Sequence, residues 1–149
     1  MIDSLHPGAF EALRLRVFAY GTLMFDEVME AVVGRRFEGV PAQLPGYERY
    51  QVRGQSYPAI VRRDEGMTEG ILFSGIDEET LARLDRFEGS SYQREWVALD
   101  TGERAWAYVV APGKEPLLSD QPWNPDEFLR EHGEAFVEAW DPLRVEGVE

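Results

Sequence analysis

The sequence predicts an α+β fold, a small and mostly antiparallel β-barrel with flanking helices and a C-terminal helical extension. Short runs rich in β-branched and apolar residues follow one another through the middle of the chain. Segments with helical spacing of apolar residues stand before and after that region, and a further one lies near the C-terminus. Strands grouped together with helices packed against them are typical of an α+β domain.

The first predicted elements are a strand and a helix joined by a tight turn. Residues 17–20 are apolar and end at Gly21, which favours a short strand. Residues 26–33 place four apolar side chains at helical spacing, and Gly34 stands where a left-handed C-terminal cap is needed. Residues 21–23 are therefore expected to form a strand-to-helix turn.

The middle of the chain is predicted to supply most of the sheet. Prolines and glycines divide it into short runs, which we interpret as strands over residues 40–44, 47–53, 59–62 and 68–74. This spacing suits a compact, mostly antiparallel sheet or barrel.

A second helix is predicted to end at the residue that we consider the main catalytic candidate. Asp77 can cap its N-terminus, and Gly89 ends it. Leu81 and Leu84 give it an apolar face, and Glu88 lies on the same face because it follows them by seven and four residues.

The last elements are a hairpin and the C-terminal helix. Strands over 96–99 and 105–110 are expected to be joined by a tight turn, and a connector with three prolines follows. Asn124 or Asp126 can then cap a helix that runs to Trp140. Six of its residues are predicted to dock on the domain: Phe128, Leu129, His132, Phe136, Val137 and Trp140.

The chain is expected to contain one domain. Its 149 residues, 44% of them hydrophobic, suffice for one core. We assign residues 1–15 to a lead-in, residues 16–112 to the domain, and residues 113–149 to the connector and a C-terminal helix packed on it.

Composition excludes several classes of function. The chain has no cysteine and only two histidines, His6 and His132, so neither a thiolate nucleophile nor a metal site nor a serine–histidine–aspartate triad is expected. We therefore expect no metal and no cofactor. Carboxylate chemistry is what remains.

The net charge of −13 opposes binding to nucleic acid or to anionic membranes. Solubility is the simplest reason for this acidity. No stretch is long and apolar enough to cross a bilayer, and the first residues lack a signal-peptide pattern, so we expect a cytoplasmic protein.

Two features of the sequence could carry chemistry. The turn after Tyr20 would leave several backbone N–H groups without helical partners, suited to a carboxylate or an oxyanion, although many such turns bind nothing. A Glu88 side chain turned toward the core would have a raised pKa, useful for proton transfer. Alternatively, Glu88 ends the helix in solvent and Asp85 fixes a neighbouring loop.

Three further polar residues have structural interpretations beside functional ones. Tyr92 and Tyr108 can fill the core with one satisfied hydroxyl each. Arg94 could hold a substrate carboxylate or pair with Glu95 or Asp85.

Taken together, these motifs resemble the γ-glutamylcyclotransferase-like family, and within it the AIG2-like proteins. The resemblance covers about residues 16–110, and the C-terminal helix resembles the extension of the AIG2-like subgroup. The residues that carry it are Tyr20, Gly21, Thr22, Leu23, Tyr57, Pro58, Ala59, Gly70, Leu84, Asp85, Arg86, Phe87, Glu88, Gly89, Tyr92, Arg94, Ala107 and Tyr108.

The resemblance implies a cofactor-independent transferase or lyase. Its reaction would close a γ-glutamyl amide into 5-oxoproline and release an amine, with Glu88 as the proton acceptor. The substrate pocket would be lined by Tyr20, Gly21, Thr22, Leu23, Met24 and Tyr108.

Several alternatives stay open at this point. The leaving amine could be an amino acid, a polyamine, a crosslinked lysine or an amino-sugar precursor. The same fold could serve as a non-catalytic module that binds carboxylate ligands, and the acidic surface could serve protein interactions. We expect a monomer or a weak homodimer.

Overall fold

The computed structural model describes residues 15–140, without the side chains of residues 133, 134 and 136–140. The predicted lead-in therefore lies almost wholly outside the described residues, as do the docking side chains predicted for Phe136, Val137 and Trp140. The strands are β1 (Val17–Ala19), β2 (Gly39–Val52), β3 (Pro58–Phe73), β4 (Tyr92–Ala98), β5 (Arg104–Val110) and β6 (Leu118–Pro122). The α-helices are α1 (Asp26–Val33), α2 (Glu78–Glu88) and α3 (Pro125–Trp140).

The six strands form one mixed sheet in the order β4-β5-β1-β3-β2-β6. Strand β1 is antiparallel to β3 and parallel to β5, while the pairs β2–β3, β2–β6 and β4–β5 are antiparallel. The sheet curls into a half-barrel with the helices beside it. The predicted α+β fold is confirmed.

The four strands predicted in the middle of the chain join into two long ones, β2 and β3. The register of this hairpin jumps from Pro45–Met67 to Tyr47–Arg62, which marks a bulge. At Gly66 a Cβ would lie 2.6 Å from the carbonyl oxygen of Tyr47, so only glycine fits there. The prolines and glycines thus bend the hairpin where the sequence suggested that they end strands.

The bend lets strand β3 meet two neighbours. Val17 of β1 pairs with Trp106 of β5, and beyond the end of β1 the parallel pairing passes directly from β5 to β3, at Val109 and Ile60. The three-residue strand β1 therefore lies between β3 and β5 over only part of their length. The chain leaves the sheet after β1, at Tyr20.

Helices α1 and α2 have the predicted bounds. Gly34 has φ 81° and closes α1, since its amide bonds to the carbonyl of Glu30. The side chain of Asp77 accepts from the amide of Thr80 at 2.7 Å, and Gly89 with φ 77° closes α2. Because both ends are fixed, the side chains along α2 face the predicted directions.

Two predictions for the second half of the chain need correction. Strand β4 begins at Tyr92, four residues earlier than expected, because residues 92–95 pair with β5 and continue the hairpin. The connector also contains a strand, β6, which pairs with β2 through Tyr50 and Val52. Its polar sequence gave no alternation from which a strand could be predicted.

Helix α3 is capped by Asn124, whose Oδ1 accepts from the amide of Glu127 at 3.0 Å. Phe128 is buried, but Leu129 is 47% exposed and His132 is exposed too. The prediction that Leu129 docks on the domain is therefore wrong, whereas His132 lines a shallow depression together with Gln51 and Ser56 of the domain. Among the described side chains of α3, Phe128 is the buried one.

Candidate active site

A cavity of about 180 Å³ opens where strand β1 ends, and we call it the Glu88 cavity. The turn after β1 forms one wall, the C-terminal end of α2 another, and the starts of β3 and β4 the rest. The residues that line it are Val17, Phe18, Ala19, Tyr20, Gly21, Thr22, Leu23, Tyr57, Pro58, Phe87, Glu88, Ser91, Tyr92 and Tyr108. The structure thus brings the predicted turn and Glu88 together around one cavity.

The turn after β1 keeps some of its backbone amides unbonded. Met24 donates its amide to the carbonyl of Gly21 at 3.0 Å, and Phe25 donates to Thr22 at 3.2 Å. Between described residues, no such bond uses the amides of Gly21, Thr22 and Leu23. These three N–H groups are therefore available to an anionic or carbonyl oxygen in the cavity.

Gly21 is required at this turn because of a close approach. A Cβ at this position would lie 2.9 Å from Cγ of Pro58, at the start of β3. Real Cβ atoms essentially never come so near, and a proline ring has little freedom to move. The absence of a side chain lets the turn pack directly on Pro58.

Glu88 is the last residue of α2, and its half-buried side chain lines the cavity. Burial, and then the nearby charge of Asp85, raise the pKa of the Glu88 carboxyl to about 8. A carboxyl that titrates near neutral pH can accept and return a proton during one reaction cycle. The predicted inward orientation of Glu88 is observed.

Three tyrosines surround Glu88, and all three hydroxyl groups donate to acceptors of the protein. Tyr20 donates to the carbonyl of Tyr108, and Tyr92 donates to the carbonyl of Pro58 at 2.7 Å. Tyr108 donates to Oδ1 of Asp85 at 2.7 Å. Burial raises the pKa of each tyrosine above its ordinary value. All three hydroxyl groups therefore stay neutral beside the Glu88 carboxyl.

Asp85 has a second partner besides Tyr108, which is Arg94. Nε of Arg94 lies 3.0 Å from Oδ1 of Asp85, and the Arg94 guanidinium stacks 4.4 Å over the ring of Trp106. Arg94 therefore pairs with Asp85, as one of its two predicted interpretations stated. It does not line the Glu88 cavity.

Among the described residues that line the cavity, Glu88 is the single charged one. A cationic group such as an ammonium would therefore find one counter-charge there, within neutral and mostly apolar walls. In the part of the chain that the structure describes, no cluster of three or more residues could hold a metal ion. Glu88 is thus the group of this cavity that can move a proton.

Two of the sequence predictions differ from the observed placement of side chains. Met24 is absent from the cavity lining and faces a separate depression beside Phe37 and Ile71, so we leave it out of the proposed site. Ser91 lines the cavity without having been singled out, and Phe87 was named only for the resemblance and not as a lining residue. No local pattern marks Ser91, because only the docking of α2 and β4 brings it there.

Comparisons with known proteins agree with this fold. A sequence model of the family described as "Gamma-glutamyl cyclotransferase, AIG2-like" matches residues 17–125. Protein AIG2 C of Arabidopsis thaliana is 33% identical over 129 residues, which cover 83% of this chain and 78% of that protein. The chain belongs to the AIG2-like γ-glutamyl cyclotransferase family.

Solved structures extend the comparison. A solution structure from Arabidopsis thaliana has 32% identity and a TM-score of 0.63, and the match covers 84% of this chain and 78% of that one. A protein named gamma-glutamyl cyclotransferase has a TM-score of 0.56 over 85% of both chains, but only 16% identity. The second comparison shows a shared fold alone. Within residues 15–140, no helix combines the length and apolar character needed to span a membrane.

Proposed function

We propose that this protein is a γ-glutamyl cyclotransferase that converts a γ-glutamyl amide into 5-oxoproline and a free amine. The observation that carries the proposal is the position of Glu88, the one charged side chain that residues 15–140 contribute to the cavity beside the turn after β1. The membership in the AIG2-like family supports the class of reaction.

The turn after β1 supplies the donors that such a substrate needs. The α-carboxylate and the γ-carbonyl of a γ-glutamyl group both carry oxygen atoms that require hydrogen bonds when buried. The unbonded amides of Gly21, Thr22 and Leu23 can provide them. Binding there places the α-ammonium of the substrate on the side of the cavity where Glu88 is the only counter-charge.

Ring closure then requires the attacking nitrogen to lose two protons. The Glu88 carboxylate takes the first from the α-ammonium, and the freed nitrogen attacks the γ-carbonyl to form a new C–N bond. The tetrahedral oxyanion is stabilised by turn amides. When the original amide C–N bond breaks, Glu88 gives that proton to the leaving nitrogen, and its carboxylate then takes the second proton from the ring nitrogen and passes it to the freed amine, so the products are 5-oxoproline and the amine as its ammonium ion.

The pKa of Glu88 suits both steps. A carboxyl at its ordinary pKa would be a weak base toward an ammonium and would return its proton slowly. At about 8, its pKa lies within reach of the amine that it must deprotonate. Neutral tyrosines around it keep the carboxyl from forming an ion pair within the protein.

The experiment is a product assay with the variant Glu88→Gln. The protein is incubated with a panel of γ-glutamyl amides, and 5-oxoproline is measured by chromatography. We expect turnover by the unmodified protein and a loss of at least about 100-fold in kcat for the variant. Glu78→Gln, an exposed glutamate at the start of the same helix, should keep its activity.

Two outcomes would contradict the proposal. Activity of Glu88→Gln close to that of the unmodified protein would remove Glu88 from catalysis. Thermal stabilisation by γ-glutamyl ligands without any product would indicate a binding module on the same fold.

A further inference from the structure

A second cavity, here called the Arg53 cavity, adjoins the Glu88 cavity. It has a volume of about 240 Å³ and lies between the β2–β3 turn and the segment that leads into β6. Tyr57, Ser91 and Tyr92 line both cavities. The two cavities therefore have these three residues as a common wall.

We propose that the Arg53 cavity receives the leaving amine of the substrate and that Arg53 selects amines which carry an anionic group. This inference rests on the proposed function, because the amine is the second half of the same γ-glutamyl amide. It assigns a specificity site to residues that the reaction itself does not use.

The size of the Glu88 cavity supports this division of the substrate. At about 180 Å³ it is smaller than the roughly 300–1,000 Å³ of sites that enclose drug-sized ligands. It suits a glutamyl group, and a larger amine then needs adjoining space. The Arg53 cavity offers that space beside Ser91 and Tyr92, which lie just after the helix end that carries Glu88.

The walls of the Arg53 cavity are largely apolar. They are contributed by Val52, Ala59, Val110, Leu117 and Leu118, with the rings of the shared tyrosines. A hydrocarbon chain buried there gains about 25 cal/mol for each Å² of apolar surface removed from water. The leaving amine is therefore expected to carry an apolar chain.

Arg53, an exposed residue, is the one charged residue among the described residues that line this cavity. Its backbone amide donates to the carbonyl of Leu117 at 2.8 Å, and its Nε donates to the carbonyl of Leu118 at 3.0 Å. These two bonds fix the stem of the side chain. Its two terminal nitrogens form no ion pair with a carboxylate of the described residues.

The absence of acidic residues from the lining is informative in so acidic a chain. No aspartate or glutamate of the part of the chain that the structure describes lines the Arg53 cavity. A polyamine chain would find no counter-charge there and would meet the guanidinium instead. A carboxylate can receive two parallel N–H bonds from an arginine, so an amine with an apolar chain and a carboxylate fits best.

The test measures binding without requiring turnover. Two ligands are compared, γ-glutamyl-leucine and γ-glutamyl-isopentylamine, which differ only in the leucine carboxylate. Their dissociation constants are measured by calorimetry with Glu88→Gln and with the double variant Glu88→Gln/Arg53→Gln. We expect the second substitution to weaken γ-glutamyl-leucine about five- to tenfold. Binding of γ-glutamyl-isopentylamine should change less than twofold.

The control is Arg86→Gln on the same background, an exposed arginine on α2 that lines neither cavity and changes the net charge equally. Equal effects of Arg53→Gln on both ligands, no effect on either, or no binding of either ligand would overturn the inference. A failure of the proposed function is seen separately, as the absence of 5-oxoproline when the unmodified protein is given both compounds.

Discussion

Nη1 of Arg49 donates a hydrogen bond to the carbonyl oxygen of Tyr20 at 2.6 Å, across the interior of the bent hairpin. The same nitrogen lies 3.1 Å from the carbonyl of Glu69, and the guanidinium stacks 5.3 Å from the ring of Trp123. Burial lowers the pKa of Arg49, which nevertheless remains a charged donor. Arg49 therefore ties Tyr20, at the start of the turn after β1, to β3 and to Trp123, two residues before α3.

Arg49→Met should loosen this turn while leaving the proton-transfer group in place. Loss of a hydrogen bond from a charged donor costs about 1.5–3 kcal/mol, seen as a lower midpoint in urea unfolding. We expect kcat/KM to fall about tenfold, mainly through KM, because the turn amides would be less well positioned. The acid limb of the pH–rate profile should not move.

The matched control for Arg49 is Arg63→Met, since Arg63 lies on the same hairpin and stacks 5.5 Å from the ring of Tyr50 but is exposed. Its effect on kcat/KM should be under twofold. If the two variants lose equal activity, Arg49 has no special link to the turn.

The pH dependence of kcat/KM should report the raised pKa of Glu88. As a base, Glu88 must be ionised, so activity is expected to rise with pH through about 8. Asp85→Asn removes the like charge that contributes to this shift, so the acid limb should move to lower pH. It should stay above the ordinary value near 4.5, because burial is the larger cause.

Tyr108→Phe is the comparison for that experiment. It removes the hydrogen bond from Tyr108 to Asp85 but leaves the aspartate charge in place. The limb should therefore stay closer to its original position than in Asp85→Asn. An acid limb that rises or stays fixed in Asp85→Asn would show that the aspartate does not act on Glu88.

Glu88 should lower the stability of the folded protein at the pH where it works. Its pKa is about 8 in the folded state and near 4.5 in an exposed chain, so the folded state binds more protons between these values. The contribution of the Glu88 carboxyl to the free energy of unfolding is therefore fully present below about pH 4.5. It is lost as the pH rises toward 8. Glu88→Gln should be more stable at pH 8 by about 1–3 kcal/mol.

Urea unfolding of both proteins at pH 4.5, 6 and 8 checks this prediction. The gain should shrink steadily toward pH 4.5, where both forms are neutral. A constant difference across the three pH values would mean that the carboxyl is not buried as a charge.

Phe128 should be the main anchor of α3. It is 2% exposed, its ring lies 5.7 Å from that of Phe25 in a stacked geometry, and it also contacts Trp123. Phe128→Ala should cost about 3–5 kcal/mol in the free energy of unfolding, because it leaves a cavity between α3 and α1. Leu129→Ala, at the 47% exposed neighbour, should cost under about 0.5 kcal/mol. Similar losses in both would mean that α3 docks through a different face.

Local rules in the sequence predicted much of the fold. Asp77 and Gly89 define both ends of α2, and the spacing from Leu84 to Glu88 then orients the glutamate. The same rules placed the turn after β1, since Gly21 ends the strand and α1 follows at once. These predictions were correct because capping and helical periodicity depend only on neighbours in the chain.

Other predictions failed where distant residues decide. Pro45, Gly46 and Gly66 end no strand, because β2 and β3 continue through the bulge there, whereas Gly54 lies in the turn between β2 and β3 as predicted. Residues 118–122 form strand β6 because they pair with the edge strand β2. Leu129 was assigned to the docking face from periodicity, but its side chain is 47% exposed.

The amino-acid sequence by itself determined that Glu88 shares a helix face with Leu81 and Leu84 and that a tight turn follows β1, since both follow from short-range spacing. Only the tertiary structure decided that Glu88 and the turn share one cavity, that Arg49 holds Tyr20, and that Arg53 borders a second cavity. These relationships join residues tens of positions apart. They depend on how the bent hairpin of β2 and β3 pairs with β1 and β5.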